Sequence, residues 1–115
     1  MACLLQPDPR PNRDVLGKIG ATPKVFIQSD DAPNATVIAA TLNDDQVTIH
    51  GNTFTLPALK SGVNVLNLVM LGISEGDGVT LVEDCGGGAT QPLKKKFVGA
   101  AAGGANPHVG FNIRA

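Results

Sequence analysis

The chain has 115 residues, a hydrophobic share of 43%, a charged share of 17% and a formal net charge of −1. These values predict one soluble globular domain rather than a disordered chain, because the apolar share is large enough to build a core. They argue against nucleic acid and anionic membranes as partners, since both attract a basic excess or a basic face. No apolar run approaches the ~20 residues of a membrane-spanning helix. Residues 1–7 lack the pattern of a signal peptide, which leaves the compartment open.

Residues 1–23 are predicted to form an extended, proline-rich arm that precedes a single β-domain over residues 24–115. Proline removes backbone donors and fixes φ, which disfavours a helix in the arm. The helical spacing of Val15, Leu16 and Ile19 still allows one turn that docks on the domain. We interpret the arm as a plain tail, and a segment that crosses to a neighbouring subunit is the alternative.

Eight short strands are predicted in the domain, because apolar residues recur at every second position and turn-forming residues separate the runs. The strands cover residues 24–28, 35–42, 47–50, 53–56, 63–71, 79–82, 93–98 and 107–113. We therefore predict an all-β fold. It is a small antiparallel β-sandwich of about 7–8 strands, immunoglobulin-like or jelly-roll-like, with a small β-barrel as the alternative.

Four consecutive strands over residues 47–82 are predicted to form a β-meander. The Gly51-Asn52 pair tolerates the positive φ of a tight hairpin turn, and residues 63–71 are apolar enough for the buried middle of a sheet. This apolar strand, with Gly62 and Asn64 at its start, resembles strands of immunoglobulin-like and jelly-roll accessory domains. The resemblance covers a single strand and implies a fold type without assigning functional residues.

The chain has two cysteines, Cys3 and Cys85, and two histidines, His50 and His108. Their side chains are of the types that serve as nucleophiles, bases or metal ligands. Because Cys3 lies in the predicted tail, we interpret both cysteines as unpaired thiols, with one bridge as the alternative. A Cys85–His pair, with the following glycines as oxyanion donors, would form a nucleophilic site. No local nucleophile motif or polar cluster supports that site, so we predict no catalytic residues, no enzyme activity and no obligatory cofactor.

Paired aspartates in two predicted turns are the candidate calcium ligands, Asp30 with Asp31 and Asp44 with Asp45. Alternate loops collect at one end of a sandwich, so that two such pairs can converge, and calcium prefers oxygen ligands from loops of this kind. The competing interpretation is that these aspartates end strands by satisfying local backbone donors. Calcium is therefore the one metal that the sequence leaves open.

These observations predict a non-enzymatic protein-interaction or assembly module. It binds a protein partner or a second copy of itself through an edge strand or a sheet face. The alternative is a calcium- or polar-mediated carbohydrate-binding domain, although the chain has no Trp or Tyr on which a sugar ring could stack. A small enzyme is the third class. The predicted partner contacts are Leu4, Leu16, Ile19, Lys94, Lys95 and Lys96. On an edge strand, the three lysines would also block aggregation.

Overall fold

The computed structural model of the chain describes residues 3–11, 13–99 and 107–115. Within these ranges, no segment forms a helix long and apolar enough to cross a membrane. The described residues form eleven strands: β1 (Gln6–Pro7), β2 (Val15–Leu16), β3 (Lys24–Ser29), β4 (Thr36–Leu42), β5 (Asp45–Gln46), β6 (Ile49–His50), β7 (Thr53–Thr55), β8 (Val63–Leu71), β9 (Gly78–Gly86), β10 (Ala89–Phe97) and β11 (His108–Arg114).

The strands form two sheets that pack on a common core. The six-stranded sheet has the order β1-β2-β11-β8-β4-β5, and the five-stranded sheet has the order β10-β9-β3-β7-β6. Because each sheet begins and ends with a different strand, the two do not close into a barrel, and the predicted β-sandwich is confirmed. All eight predicted strands are present, and the two-residue strands β1, β2 and β5 bring the total to eleven.

The predicted meander is only partly correct. The hairpin around Gly51 and Asn52 is confirmed, with Ile49 opposite Phe54 and a φ of 66° at Gly51. The next two strands do not continue that sheet, since β8 pairs with β4 and β11, whereas β9 pairs with β3 and β10. The chain therefore crosses between the sheets after β7 and again after β8. Alternation shows that a segment is a strand, but it does not show which sheet the strand joins.

A two-residue turn at Gly87 and Gly88 joins β9 to β10. Gly86 lies opposite Ala89, and φ is 61° at Gly87 and 82° at Gly88. A tight hairpin turn with positive φ at both central residues favours glycine, because a side chain would be strained there. This turn allows the long β9–β10 hairpin to form one border of the five-stranded sheet.

Inward-facing side chains of both sheets form the hydrophobic core. In β11, Val109, Phe111 and Ile113 are buried, as the alternation along that strand predicts. Leu68 of β8 and Leu81 of β9 are fully shielded from solvent. Burial of such side chains supplies the main favourable free energy of folding.

The N-terminal segment, residues 3–17, packs on the sandwich of its own chain. Leu5 and Val15 are only 4% and 1% exposed. β1 pairs with β2, and β2 pairs in parallel with β11, with Val15 opposite Ile113. The helical turn that the spacing allowed at Val15 and Leu16 does not form, because these residues add a strand to the sheet instead.

The division of the chain after Pro23 stays a prediction about which parts fold independently. The segment before it is extended, as expected, but it contributes two strands to the six-stranded sheet. The small-residue segment 99–105, which the sequence predicts to be a flexible hairpin loop, lies outside the described residues apart from Gly99.

Candidate functional site

The outer face of the six-stranded sheet carries a run of exposed apolar side chains. In β8, buried and exposed residues alternate, and Val63, Val65 and Leu71 are 51%, 37% and 46% exposed. Ile38 of the neighbouring β4 is 44% exposed. With the half-buried Val69, these side chains form what we call the apolar face: Ile38, Val63, Val65, Val69 and Leu71.

The centre of the apolar face carries no Asp, Glu, Lys or Arg, but the exposed Asn67 of β8 interrupts it and His108 of β11 lies opposite Val69. Val65 lies opposite Asn112 of β11, and Val69 lies opposite Ala39 of β4. Arg114, at the end of β11, lies at the border of the face. A centre without charged side chains and a charged border are typical of surfaces that bind other proteins.

The free edge of β4 is largely covered by polar groups of its own chain. Val37 N donates to Asn52 Oδ1 at 2.8 Å, and Val47 N donates to the Ala40 carbonyl oxygen at 2.9 Å. These bonds occupy backbone groups that could otherwise pair with a strand of another molecule. Of the two contact modes expected from the sequence, the face is therefore more accessible than this edge.

Lys94, Lys95 and Lys96 lie on β10, an edge strand of the five-stranded sheet. Lys96 Nζ is 2.7 Å from Asp14 Oδ2, and Lys94 Nζ is 4.0 Å from Asp14 Oδ1. Lys95 Nζ is 3.4 Å from Asp30 Oδ2. The lysines thus bind acids of their own chain, and a contact with a partner stays a prediction for all three.

The apolar candidates of the N-terminal segment are Leu4, which is 47% exposed, Ile19, which is 67% exposed, and the half-buried Leu16 of β2. Leu16 lies opposite Arg114 of β11, and Arg114 lies opposite Val63 of β8, so that Leu16 is on the same face one strand away from Val63. The role of all three residues as partner contacts stays a prediction.

Asp30 and Asp31 end strand β3 and bind groups of their own chain. Asp31 Oδ2 accepts a hydrogen bond from Gly78 N at 2.8 Å. Asp30 Oδ2 accepts one from Thr80 Oγ1 at 3.2 Å and also forms the ion pair with Lys95. Both carboxylates act here as strand-terminating acceptors, the competing interpretation that the sequence offered.

Asp44 and Asp45 lie in the hairpin that joins β4 to β5. Asn43 and Asp44 have φ values of 52° and 68°, which short polar residues tolerate in tight turns. This hairpin follows β4, whereas Asp31 precedes it, so the seven-residue strand separates the two aspartate pairs by about 20 Å. The four aspartates therefore do not converge on one calcium site.

Cys3 and Cys85 form a disulfide with an S–S distance of 2.05 Å. The interpretation as two unpaired thiols is wrong, because the N-terminal segment is packed on the sandwich and brings Cys3 to the end of β9. Cys85 consequently has no free thiol for nucleophilic attack. Cys3, Glu83 and Cys85 hold potential metal-ligand atoms within 4.8 Å of one another. Because both sulfurs are in the disulfide, only the Glu83 carboxylate of this group remains available as an anionic ligand.

Glu83 is a buried carboxylate that fixes the start of the N-terminal segment. It is 1% exposed. Its Oε2 accepts a hydrogen bond from Leu4 N at 2.7 Å, and its Oε1 accepts bonds from Leu5 N and Gln91 Nε2, both at 3.0 Å. A buried polar group is tolerated when its bonding capacity is satisfied in this way.

Asp8 is a second buried carboxylate, and its bonds lie within the N-terminal segment itself. Arg10 Nε donates to Asp8 Oδ1 at 2.9 Å, and Arg10 Nη2 donates to Asp8 Oδ2 at 2.8 Å. This side-chain hydrogen bonding lowers the pKa of the Asp8 carboxyl from 3.8 to about 2. The same contact raises the pKa of Arg10. Charge-assisted bidentate pairs of this geometry are among the stronger polar contacts in proteins.

Two features of the site were missed in the sequence. The apolar face was missed because residues 63–71 are apolar at outward as well as inward positions, a pattern that predicts burial on both sides. Glu83 was missed although a signal was present, since it alternates with Leu81 and Cys85 and must share their inward direction.

No protein-family model matches the chain, and neither a curated protein nor a solved structure matches it. The argument for function therefore depends on the surfaces and contacts described above.

Proposed function

We propose that this protein is a non-enzymatic assembly module and that two copies associate through the apolar face of the six-stranded sheet. The observation that carries the proposal is the exposure of Val63, Val65 and Leu71 along one side of β8, with Ile38 beside them. Apolar side chains that are clustered on a surface lose contact with water when they are covered, which favours association.

A second copy of the chain suits this face for three reasons. A twofold arrangement places the same apolar side chains opposite one another, so that each copy covers the other. Two sheets can stack face to face in the way that the sheets stack within one chain. The formal net charge of −1 produces little repulsion between copies.

The alternative of calcium- or polar-mediated carbohydrate binding has no observation in its favour. Asp30 and Asp31 bind groups of their own chain, and Asp44 and Asp45 lie at the opposite end of β4. We also propose that the sandwich is immunoglobulin-like or jelly-roll-like. The support for this likeness is the packing of two sheets.

The test is the solution mass of the chain and of Val65→Glu, measured by light scattering over a range of concentrations. We expect the unmodified chain to form a dimer. We expect Val65→Glu to be a monomer, because the buried centre of the interface would contain two carboxylates without partners. The control is Thr55→Glu, which adds the same charge at an exposed position of β7 in the other sheet and should stay dimeric.

Either of two results would contradict the proposal. The unmodified chain could be a monomer at every concentration, or Val65→Glu could keep the dimeric mass with unchanged dissociation. Circular dichroism of all three proteins verifies that each is folded, so that loss of association is not confused with loss of structure.

A further inference from the structure

A cleft of about 320 Å³ lies between the N-terminal segment and the adjacent ends of β8 and β11. Arg13 and Arg114 line it together with Asp8 and Asp14, and Pro11 and Val63 are its accessible apolar residues. The cleft thus combines cationic groups with an apolar wall. Its position is distinct from the centre of the apolar face, although Val63 lies at the border of both.

The two acids of the cleft are already bound to other groups. Asp8 forms the bidentate pair with Arg10. Asp14 is 6% exposed, pairs with Lys96 at 2.7 Å and accepts a hydrogen bond from Asn112 N at 2.9 Å. Neither acid is therefore free to neutralise a further cation at full strength.

Among the described residues, neither Arg13 nor Arg114 forms an ion pair with a carboxylate. Around the cleft, five cationic side chains accompany two carboxylates, which leaves a local formal charge of +3. The cationic side chains are Arg10, Arg13, Lys94, Lys96 and Arg114. The lining residues alone, Arg13 and Arg114 with Asp8 and Asp14, balance in charge; the positive surplus comes from the three neighbouring cations that pair with the two aspartates, and it favours anions over cations.

We infer that this cleft binds a small carboxylate carried on an apolar body. The guanidinium groups of Arg13 and Arg114 would donate hydrogen bonds to the carboxylate oxygens, since the planar guanidinium matches carboxylate geometry. The apolar body would lie against Pro11 and Val63. Inorganic phosphate is a poorer match, because it is polar on every side and cannot use the apolar wall.

Titration with hexanoate, followed by ¹H–¹⁵N correlation spectra of the full chain, tests this inference. Amide signals are the suitable reporter because the chain has no Trp or Tyr for a fluorescence measurement. We expect saturable shifts at the amides of Val15, Asn112 and Arg114. Hexanamide has the same body without the charge, and phosphate has charge without the body. Both should shift these amides less at equal concentration.

Arg13→Gln and Arg114→Gln should each weaken hexanoate binding roughly tenfold, as expected for loss of a hydrogen bond to a charged group. The control is Lys24→Gln, which removes the same charge at a side chain that is 55% exposed and pairs with Asp84. It should bind hexanoate as the unmodified chain does. The amide spectra themselves show whether each variant is folded.

Three results would overturn the inference. Hexanoate could cause no saturable shift, hexanamide or phosphate could bind as well as hexanoate, or both arginine variants could keep the original affinity. Because Val63 belongs to both the apolar face and the cleft, the titration is repeated in Val65→Glu, whose monomer leaves Val63 uncovered, so that the two proposals are tested separately. Loss of the dimer with retained hexanoate binding contradicts neither proposal.

Discussion

Between the two sheets, side chains such as Leu68 and Phe111 are shielded by other apolar groups. The N-terminal segment is held to the same sheets by the buried carboxylates of Glu83 and Asp14 and by the Cys3–Cys85 disulfide. Among the described residues of this segment, Leu5 and Val15 alone enter the core. One region thus depends mainly on apolar burial, and the other depends mainly on polar contacts and a covalent bond.

This difference predicts that separate conditions will act on the two regions. Apolar burial responds to lost side-chain volume and to denaturant. Polar contacts respond to pH, and a disulfide responds to thiol reductants. The N-terminal segment should therefore be released under conditions that leave the interior of the sandwich intact.

Replacement of Leu68 by Ala should have the largest effect. Leu68 is 0% exposed, and a cavity at such a site costs roughly 2–5 kcal/mol of the free energy of unfolding. Leu71→Ala is the matched control on the same strand, and both variants are made in the monomeric Val65→Glu background because Leu71 belongs to the proposed interface. Since Leu71 is 46% exposed, its loss should cost under about 1 kcal/mol there. Urea unfolding measures both. A cost below ~1 kcal/mol for Leu68→Ala would contradict the placement of the core.

Removal of the disulfide, by Cys3→Ser together with Cys85→Ser, should cost roughly 2–4 kcal/mol. The two cysteines are 82 residues apart, and the bond restricts the unfolded chain over that length. Hydrogen exchange at the amides of Leu4 and Leu5 should accelerate by more than the decrease in the global free energy of unfolding explains. The amide of Leu68 should follow the global loss alone.

A thiol reductant acting on the unmodified chain provides the control for the serine variant. It converts the disulfide to two thiols by exchange, and it should produce the same exchange pattern. The contrary result is that exchange at Leu4 and Leu5 accelerates no more than exchange at Leu68 in both experiments. The carboxylate of Glu83 would then hold the segment without the disulfide, and the disulfide would not distinguish the two regions.

The smallest of these effects should be the pH dependence from Asp8. Its folded-state pKa is lowered to about 2 from an ordinary value of 3.8. The stabilising contribution is therefore complete above pH 3.8 and is lost as the pH falls through about 2. In urea unfolding over this range, the unmodified chain should lose more stability than Asp8→Asn does. Asp45→Asn, at an exposed position of β5, should follow the unmodified chain.

The strands could be predicted from the sequence because each one depends on local alternation. The inward residues of β11 and the hairpin at Gly51 and Asn52 are examples of such local information. The arrangement of the strands could not be predicted in the same way. The crossing of β8 to the other sheet is decided by pairing with β4 and β11, which lie far from it in the sequence.

The contacts of the N-terminal segment were unpredictable for the same reason. Gln91 Nε2 donates to the Leu5 carbonyl oxygen across 86 residues of chain, and no local pattern marks either residue. Prolines predicted an extended segment, which is correct. They also favoured a free tail, because composition does not reveal that Glu83 and Cys85 lie at the end of β9, where they bind this segment.

The parallel pairing of β2 with β11 has a consequence for synthesis of the protein. Asp14, next to β2, binds the backbone of Asn112 in β11 across 98 residues. At an elongation rate of ~5–20 residues per second, Asp14 leaves the ribosome roughly 5–20 s before its partner. During this time the first strands have no β11 to pair with, and the long separation of the contacts slows folding. Completion of the six-stranded sheet therefore waits for a strand that is synthesised long after the segment with which it pairs.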